Sequence, residues 1–140
     1  MSVRPMSCTD RAAVCAMMTK LLPNEPDYDF LDEHVFVWEE KDGSLGGFAS
    51  ISIRPWAEGC DSQPCPYVEG WYVEPQLRHR GIGTALIRAI ESWCVEHGYS
   101  ELGSDAELTN AASLQAHVAL GFEPTLQVQY FRKRLSAPTH

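Results

Sequence analysis

No stretch of this chain reaches the roughly 18 apolar residues that a membrane-spanning helix needs, and residues 1–22 lack the basic start and unbroken apolar run of a secretory signal. No membrane contact and no export are expected. Bases are scarce: 11 Lys plus Arg stand against 19 Asp plus Glu, and the resulting charge of −8 repels the phosphates that dominate nucleic-acid affinity. A cationic partner suits such a chain better than a nucleic acid, though an acidic balance also serves solubility alone. The five cysteines, Cys8, Cys15, Cys60, Cys65 and Cys94, are odd in number and contain no Cys-x-x-Cys pair, which speaks against a disulfide framework and a zinc site. A reducing cytoplasm and no bound metal are the expectations. Internal repeats and low-complexity segments are also lacking, so residues 1–140 read as a single domain.

What is present is the composition of an ordinary globular protein, 44% hydrophobic and 21% charged. A domain of this length buries about 68% of its unfolded surface, enough for its own core. A short strand over residues 2–6 precedes a helix capped by Thr9 or Asp10, with Val14, Met17, Met18, Leu21 and Leu22 at helical spacing and Pro23 as its stop. Residues 24–33 gather Glu25, Asp27, Asp29, Asp32 and Glu33 around Pro26 with no base, as an acidic loop or short helix. Strands over 34–40 and 45–54 flank an Asp42-Gly43 hairpin signal. Pro55, Gly59, Pro64 and Pro66 make 55–66 a loop before a strand over 67–73.

From Ile82, the positions Ala85, Leu86, Ala89, Ile90 and Trp93 give the clearest helical stripe in the chain, stopped by Gly98. A short strand near 100–104, a helix over 110–120 closed by Gly121, and a strand over 125–133 complete the order. This predicts an α/β (α+β) fold, a mixed and mostly antiparallel central sheet flanked by helices, with a crossover through the 82–97 helix.

The chemistry-bearing segment runs Arg78, His79, Arg80, Gly81, Ile82, Gly83, Thr84, between a strand ending Val73-Glu74-Pro75 and that helix. Gly81 and Gly83 remove side chains where backbone must approach a ligand, and the helix start directs free N–H groups and partial positive charge at an anion. No Gly-x-x-x-x-Gly-Lys-Ser/Thr and no Gly-x-Gly-x-x-Gly occurs, which sets aside ATP and dinucleotides. Alone, the pattern also describes a turn with exposed arginines; its place between strand and helix favours a phosphate site.

With Arg78, Gly81 and Gly83 in the pattern Arg/Gln-x-x-Gly-x-Gly/Ala, and with Asn110, a helix and Leu120-Gly121-Phe122 downstream, the sequence resembles the GCN5-related N-acetyltransferase superfamily over nearly its whole length. The resemblance implies that fold, acetyl-CoA as co-substrate, and direct acetyl transfer in a ternary complex. It implies that residues 78–84 and Asn110 hold the coenzyme, with the backbone of Tyr72 and Val73 facing the thioester arm where two parallel strands splay apart. It also implies a homodimer. Many members place a tyrosine four residues before the Gly-Phe pair as the acid for the departing thiolate; here His117 holds that position. Histidine is a residue type that transfers protons near neutrality. His117 either does this work or packs against coenzyme or core.

Within the superfamily, Gly59-Cys60-Asp61-Ser62 followed by Pro64, then Glu69-Gly70, Ser104-Asp105 and Phe131-Arg132-Lys133-Arg134, resemble aminoglycoside 6'-N-acetyltransferases, enzymes of antibiotic resistance. This implies an acceptor site lined by Glu69 and Asp105, walled by the acidic loop, with Glu25 its nominated member, and by Trp56. Aminoglycosides carry several ammonium groups that need carboxylates, and an aromatic face covers sugar rings and attracts cations. Glu69 is the first candidate to take the amine's proton, directly or through water; otherwise it pairs with a neighbouring arginine. Asp105 lines the site, or caps the following helix or a turn. The acidic loop touches substrate or is a solvated face. Cys60 and Cys65 have no histidine near them in sequence and read as structural, as His79 and His97 read as surface residues. An acetyltransferase for another cationic amine (a polyamine, an amino-acid derivative, a protein N-terminus or lysine) and a non-catalytic coenzyme-binding module are the competing functions.

Overall fold

The computed structural model describes residues 1–25, 29–30 and 32–137. Its strands β1 (Ser2–Pro5), β2 (His34–Glu39), β3 (Leu45–Arg54) and β4 (Cys65–Val73) form one sheet in chain order, each pair antiparallel. The expected hairpin joins β2 and β3, and its turn closes on Asp42, whose Oδ1 accepts from the amide and the hydroxyl of Ser44. β4 starts earlier than the apolar pattern predicts, because Cys65 and Pro66 already pair with Arg54 and Ile53.

Helices α1 (Arg11–Leu21) and α2 (Ile82–Glu96) cover opposite faces of the sheet, and α3 (Ala111–Ala119) follows. Val14, Met17 and Met18 of α1 pack on Val35, Val37, Phe48 and Tyr72. Leu86, Ile87 and Ile90 of α2 pack on Ala49, Ile51 and Val68. The predicted stripe of α2 is rotated slightly: Ile82, Ile87 and Cys94 are buried with Leu86 and Ile90, while Ala85, Ala89 and Trp93 flank them. At the start of α1 the helix entry is set by Ser7, whose amide and hydroxyl both donate to Asp10 across a single 3₁₀ turn. Asp10 therefore reaches backwards, and Thr9 only meets the Ser7 hydroxyl.

Two predicted strands take another form. Residues 100–104 contribute one parallel bridge, in which the Val68 amide donates to Gly103 O and the Gly103 amide to Pro66 O, both at 2.9 Å. Residues 125–133 carry the alternation Leu126, Val128, Tyr130 but no strand, since no strand of the sheet lies beside them to share a ladder. Asp27 of the acidic segment falls outside the described residues; Asp29 accepts from Arg11 Nη2 at 2.9 Å.

One irregularity positions the site. Ser50 pairs with Gly70 and Ile51 with Val68, so Glu69 is an extra residue in β4. Side chains alternate between faces along a strand, and a bulge breaks that parity. Glu69 reaches Ser52, which shares the α1 face with Phe48; beyond the bulge Tyr72 stays on that face while Trp71 and Val73 join Val68 on the α2 face.

Candidate active site

Past Gly103 the chain parts from β4, so among the described residues no strand pairs with residues 69–73 on that side, which leaves an unpaired edge beside β4. At the end of β4, the 78–84 segment turns into α2. His79 and Gly81 take left-handed backbone, φ 65° and 82°, and the Gly81 carbonyl receives the first helical amide, that of Ala85, at 3.0 Å. The amides of Ile82, Gly83 and Thr84 have no acceptor within the helix and point out of its N-terminus. Around Gly81 a Cβ would meet nothing within 4 Å, so glycine there supplies conformation. Gly83 differs: a Cβ would come 3.3 Å from the Trp71 indole nitrogen, and that nitrogen donates to the Gly83 carbonyl at 3.1 Å. Its small size is used to bring α2 against β4.

Arg78 Nε donates to the Val73 carbonyl at 2.8 Å, tying the loop to the end of β4, while His79, Arg80 and Thr84 are exposed. The Arg78 guanidinium lies 5.5 Å from the centre of the Tyr72 ring, which is buried on the α1 face. Asn110 caps α3, its Oδ1 accepting from the Ser113 amide at 3.1 Å.

On the α1 face, Glu69 is held on both oxygens. Ser52 Oγ and Arg54 Nε donate to Oε1 at 2.7 and 2.8 Å, and Arg54 Nη2 donates to Oε2 at 3.0 Å. The same guanidinium lies 3.6 Å over the Tyr67 ring. Tyr67 in turn donates to Asp105 Oδ2 at 2.6 Å. Burial, and then the Asp105 bond, push the Tyr67 phenol far above its ordinary range, so it remains the donor. Glu69 and Asp105, distant in sequence, thus form one acidic surface stitched by Arg54 and Tyr67. Trp56 and Glu25 are exposed and lie outside this network.

His117 sits on the α2 face, edge-on to Trp71 at 5.3 Å and near Phe122 at 5.1 Å. Its Nδ1 is 2.7 Å from the Ser113 carbonyl, which can only accept, so Nδ1 carries a proton. Its Nε2 is 2.8 Å from Ser104 Oγ. Ser104 and Asp105 therefore turn to opposite faces, one to His117 and the other to Tyr67.

The segment of residues 59–62 is pinned by Glu101, which accepts from the amides of Asp61 and Ser62 at 3.0 and 2.6 Å. Beside it, burial and the neighbouring Cys65 thiol push Cys60 up to about 11, a protonated group unsuited to nucleophilic attack at neutral pH. Among the described residues no cluster of three or more His, Cys, Asp or Glu is placed to hold a metal. The residues that sequence reading passed over are Ser52, Arg54, Tyr67 and Trp71, and Ser104 is read there only as part of the Ser104-Asp105 motif, with no role of its own. A signal was available for three of them: Ser52 and Arg54 are polar at alternate positions ending an apolar strand, and Tyr67 precedes Glu69 by the same spacing.

Residues 11–122 match the acetyltransferase (GNAT) family. An aminoglycoside N(6')-acetyltransferase type 1 of Klebsiella aerogenes is 40% identical over 146 residues, covering 95% of this chain and 96% of its own. That of Salmonella enteritidis is 36% identical over 148 residues, covering 96% and 99%. The structure of AAC(6')-Iy in complex with the bisubstrate analogue CoA-S-monomethyl-acetylneamine superposes with a TM-score of 0.84 at 34% identity, covering 96% of this chain and 98% of the other.

Proposed function

The chain belongs to the acetyltransferase (GNAT) family, and from that premise we propose that it transfers the acetyl group of acetyl-CoA to the 6'-amino group of aminoglycosides, and so confers resistance to them. One observation carries this reading. The unpaired edge of β4 has carboxylates on its α1 face and the free amides of a helix start at the end of its α2 face, so a polycationic acceptor and a phosphate-bearing donor meet across that edge. In the reaction, a neutral amine attacks the thioester carbonyl, the amide forms, and the thiol of coenzyme A is released.

The amides of residues 82–84 with Arg80 and His79 hold the pyrophosphate, Arg78 keeps that loop against the end of β4, and Asn110 borders the coenzyme from the cap of α3. The backbone of Tyr72 and Val73 flanks the thioester arm. Glu69 and Asp105 receive the ammonium groups of the acceptor, and Trp56 and Glu25 form its outer wall. Because Glu69 already accepts three hydrogen bonds, a bound water relaying the proton suits it better than direct abstraction. The chain works as one domain and, with its five free cysteines, in the reducing cytoplasm. It acts as a homodimer, since its C-terminal segment exposes five large apolar side chains.

The direct test is release of free thiol from acetyl-CoA in the presence of kanamycin, spermidine or a lysine peptide, with the product's acetyl position read by NMR. Turnover on kanamycin with the new amide at the 6' nitrogen is expected. Faster turnover on spermidine or the peptide would remove the aminoglycoside assignment while leaving an acetyltransferase.

A further inference from the structure

We propose that Ser104 delivers the proton to the departing sulfur and that His117 acts through it as the proton reservoir. The proposal rests on the reading that the thioester lies at the unpaired edge of β4. Both imidazole nitrogens are already engaged, Nδ1 by the Ser113 carbonyl and Nε2 by Ser104 Oγ. A proton leaving His117 therefore passes through the serine hydroxyl. Ser104 is the first residue after the Gly103 bridge, where the chain parts from β4, and it turns to the α2 face, away from the acceptor carboxylates that Asp105 and Glu69 present on the other side.

The direction of the Ser104 hydroxyl depends on the charge of the ring. With neutral His117, Nδ1 carries the proton, so Ser104 O–H must donate to Nε2 and has nothing to offer a sulfur. With the imidazolium, Nε2–H donates to Ser104 Oγ and the serine O–H is released towards that edge. As the C–S bond breaks, the Oγ proton passes to sulfur and the Nε2 proton passes to Oγ. The products are a neutral thiol, an intact serine and a neutral histidine, which is reloaded from solvent. The ring packs against Trp71 of β4, Phe122 beyond α3, and Ser104 and Ser113; none of these carries charge, and the adjacent Asp105 is turned to Tyr67.

The experiment is the pH profile of kcat, with KM for acetyl-CoA, for the parent enzyme and for Ser104→Ala, Ser104→Thr, His117→Gln and the double variant Ser104→Ala/His117→Gln, using kanamycin as acceptor. Ser104→Ala is expected to lower kcat about 100-fold and abolish its decline at alkaline pH, with KM changed by no more than about twofold. Ser104→Thr keeps the hydroxyl and restores most of kcat. His117→Gln also loses the alkaline decline, and the double variant is no worse than the poorer single one, because both residues serve one step. Parent-like kcat and pH profile in Ser104→Ala, or a loss confined to KM, would overturn the relay and leave the acetyltransferase reading standing. If Ser104→Ala does not fold, a His117→Gln enzyme that keeps the alkaline decline overturns it instead. A parent enzyme that releases no thiol with any acceptor removes the underlying reading, and the relay with it.

Discussion

Glu69 is the residue on which the proposed acceptor chemistry turns, and its surroundings define what it can do. The Arg54 fork and the Ser52 hydroxyl fix the carboxylate in place and leave few lone pairs for a substrate ammonium or a water. Glu69→Gln keeps the shape but loses the charge, and kcat/KM for kanamycin is expected to fall about 10- to 100-fold, the range of a hydrogen bond to an ionised group. Arg54→Lys tests orientation separately, since an ammonium cannot span both oxygens or stack flat on Tyr67. A smaller fall, of about fivefold to tenfold, is expected there; steady-state kinetics with parent values for both variants would show that the site lies elsewhere. Glu69 and Asp105 are candidates because the family resemblance points at them, not because pattern alone exposes them. An arginine partner for Glu69 is anticipated from sequence but not singled out, since choosing Arg54 requires the β3–β4 register, which depends on the pairing of two separate strands rather than on neighbours in sequence.

Among the elements, those with strong local signals were legible: the Asp42-Gly43 hairpin, the α2 stripe and the start of α3 near residue 110 each depend on neighbours in sequence, whereas the cap of α3 is Asn110 and not Asp105. Those that depend on a partner strand were not, which is why residues 100–104 reduce to one bridge and 125–133 form no strand. The junction of β1 with α1 illustrates how a distant contact fixes an element boundary. Asp10 is buried and takes both Arg4 terminal nitrogens, at 2.6 and 3.0 Å, together with the Ser7 amide at 2.8 Å. The Arg4 guanidinium, then the Ser7 amide, hold this carboxyl well below the usual carboxylate range. With the folded state binding its proton more weakly than the unfolded chain, the stability it contributes is complete above about pH 4 and is lost as pH falls further. Asp10→Asn is expected to cost about 2 kcal/mol at pH 7, a fall in Tm of about 7 °C. The variant should also lose less stability than the parent between about pH 4 and pH 2. Thermal melts across that range check both; parallel curves for the two proteins would contradict the assignment.

At the scale of the whole molecule, the C-terminal segment is the part its own fold does not accommodate. Leu126, Val128, Tyr130, Phe131 and Leu135 are exposed, the two aromatics at 87% and 90%, whereas an isolated soluble protein scatters such side chains singly. Leu126, Val128 and Tyr130 alternate, as a strand's buried face requires, and among the described residues the sheet beyond β4 offers only the Gly103 bridge. Three of the chain's eleven bases, Arg132, Lys133 and Arg134, lie in this segment with no acid beside them, while the rest of the molecule is strongly acidic. In the proposed homodimer, apolar alternation and opposite charge would let each tail cover the body of the other copy in a symmetric pair. Light scattering of the parent is then expected to give twice the 15.6 kDa chain mass. Tyr130→Asp/Phe131→Asp places charge in the middle of the buried patch and should shift the protein to the monomer at micromolar concentration, with aggregation suppressed relative to simple truncation. A parent protein that scatters as a 15.6 kDa monomer would refute the dimer and require another occupant for this surface.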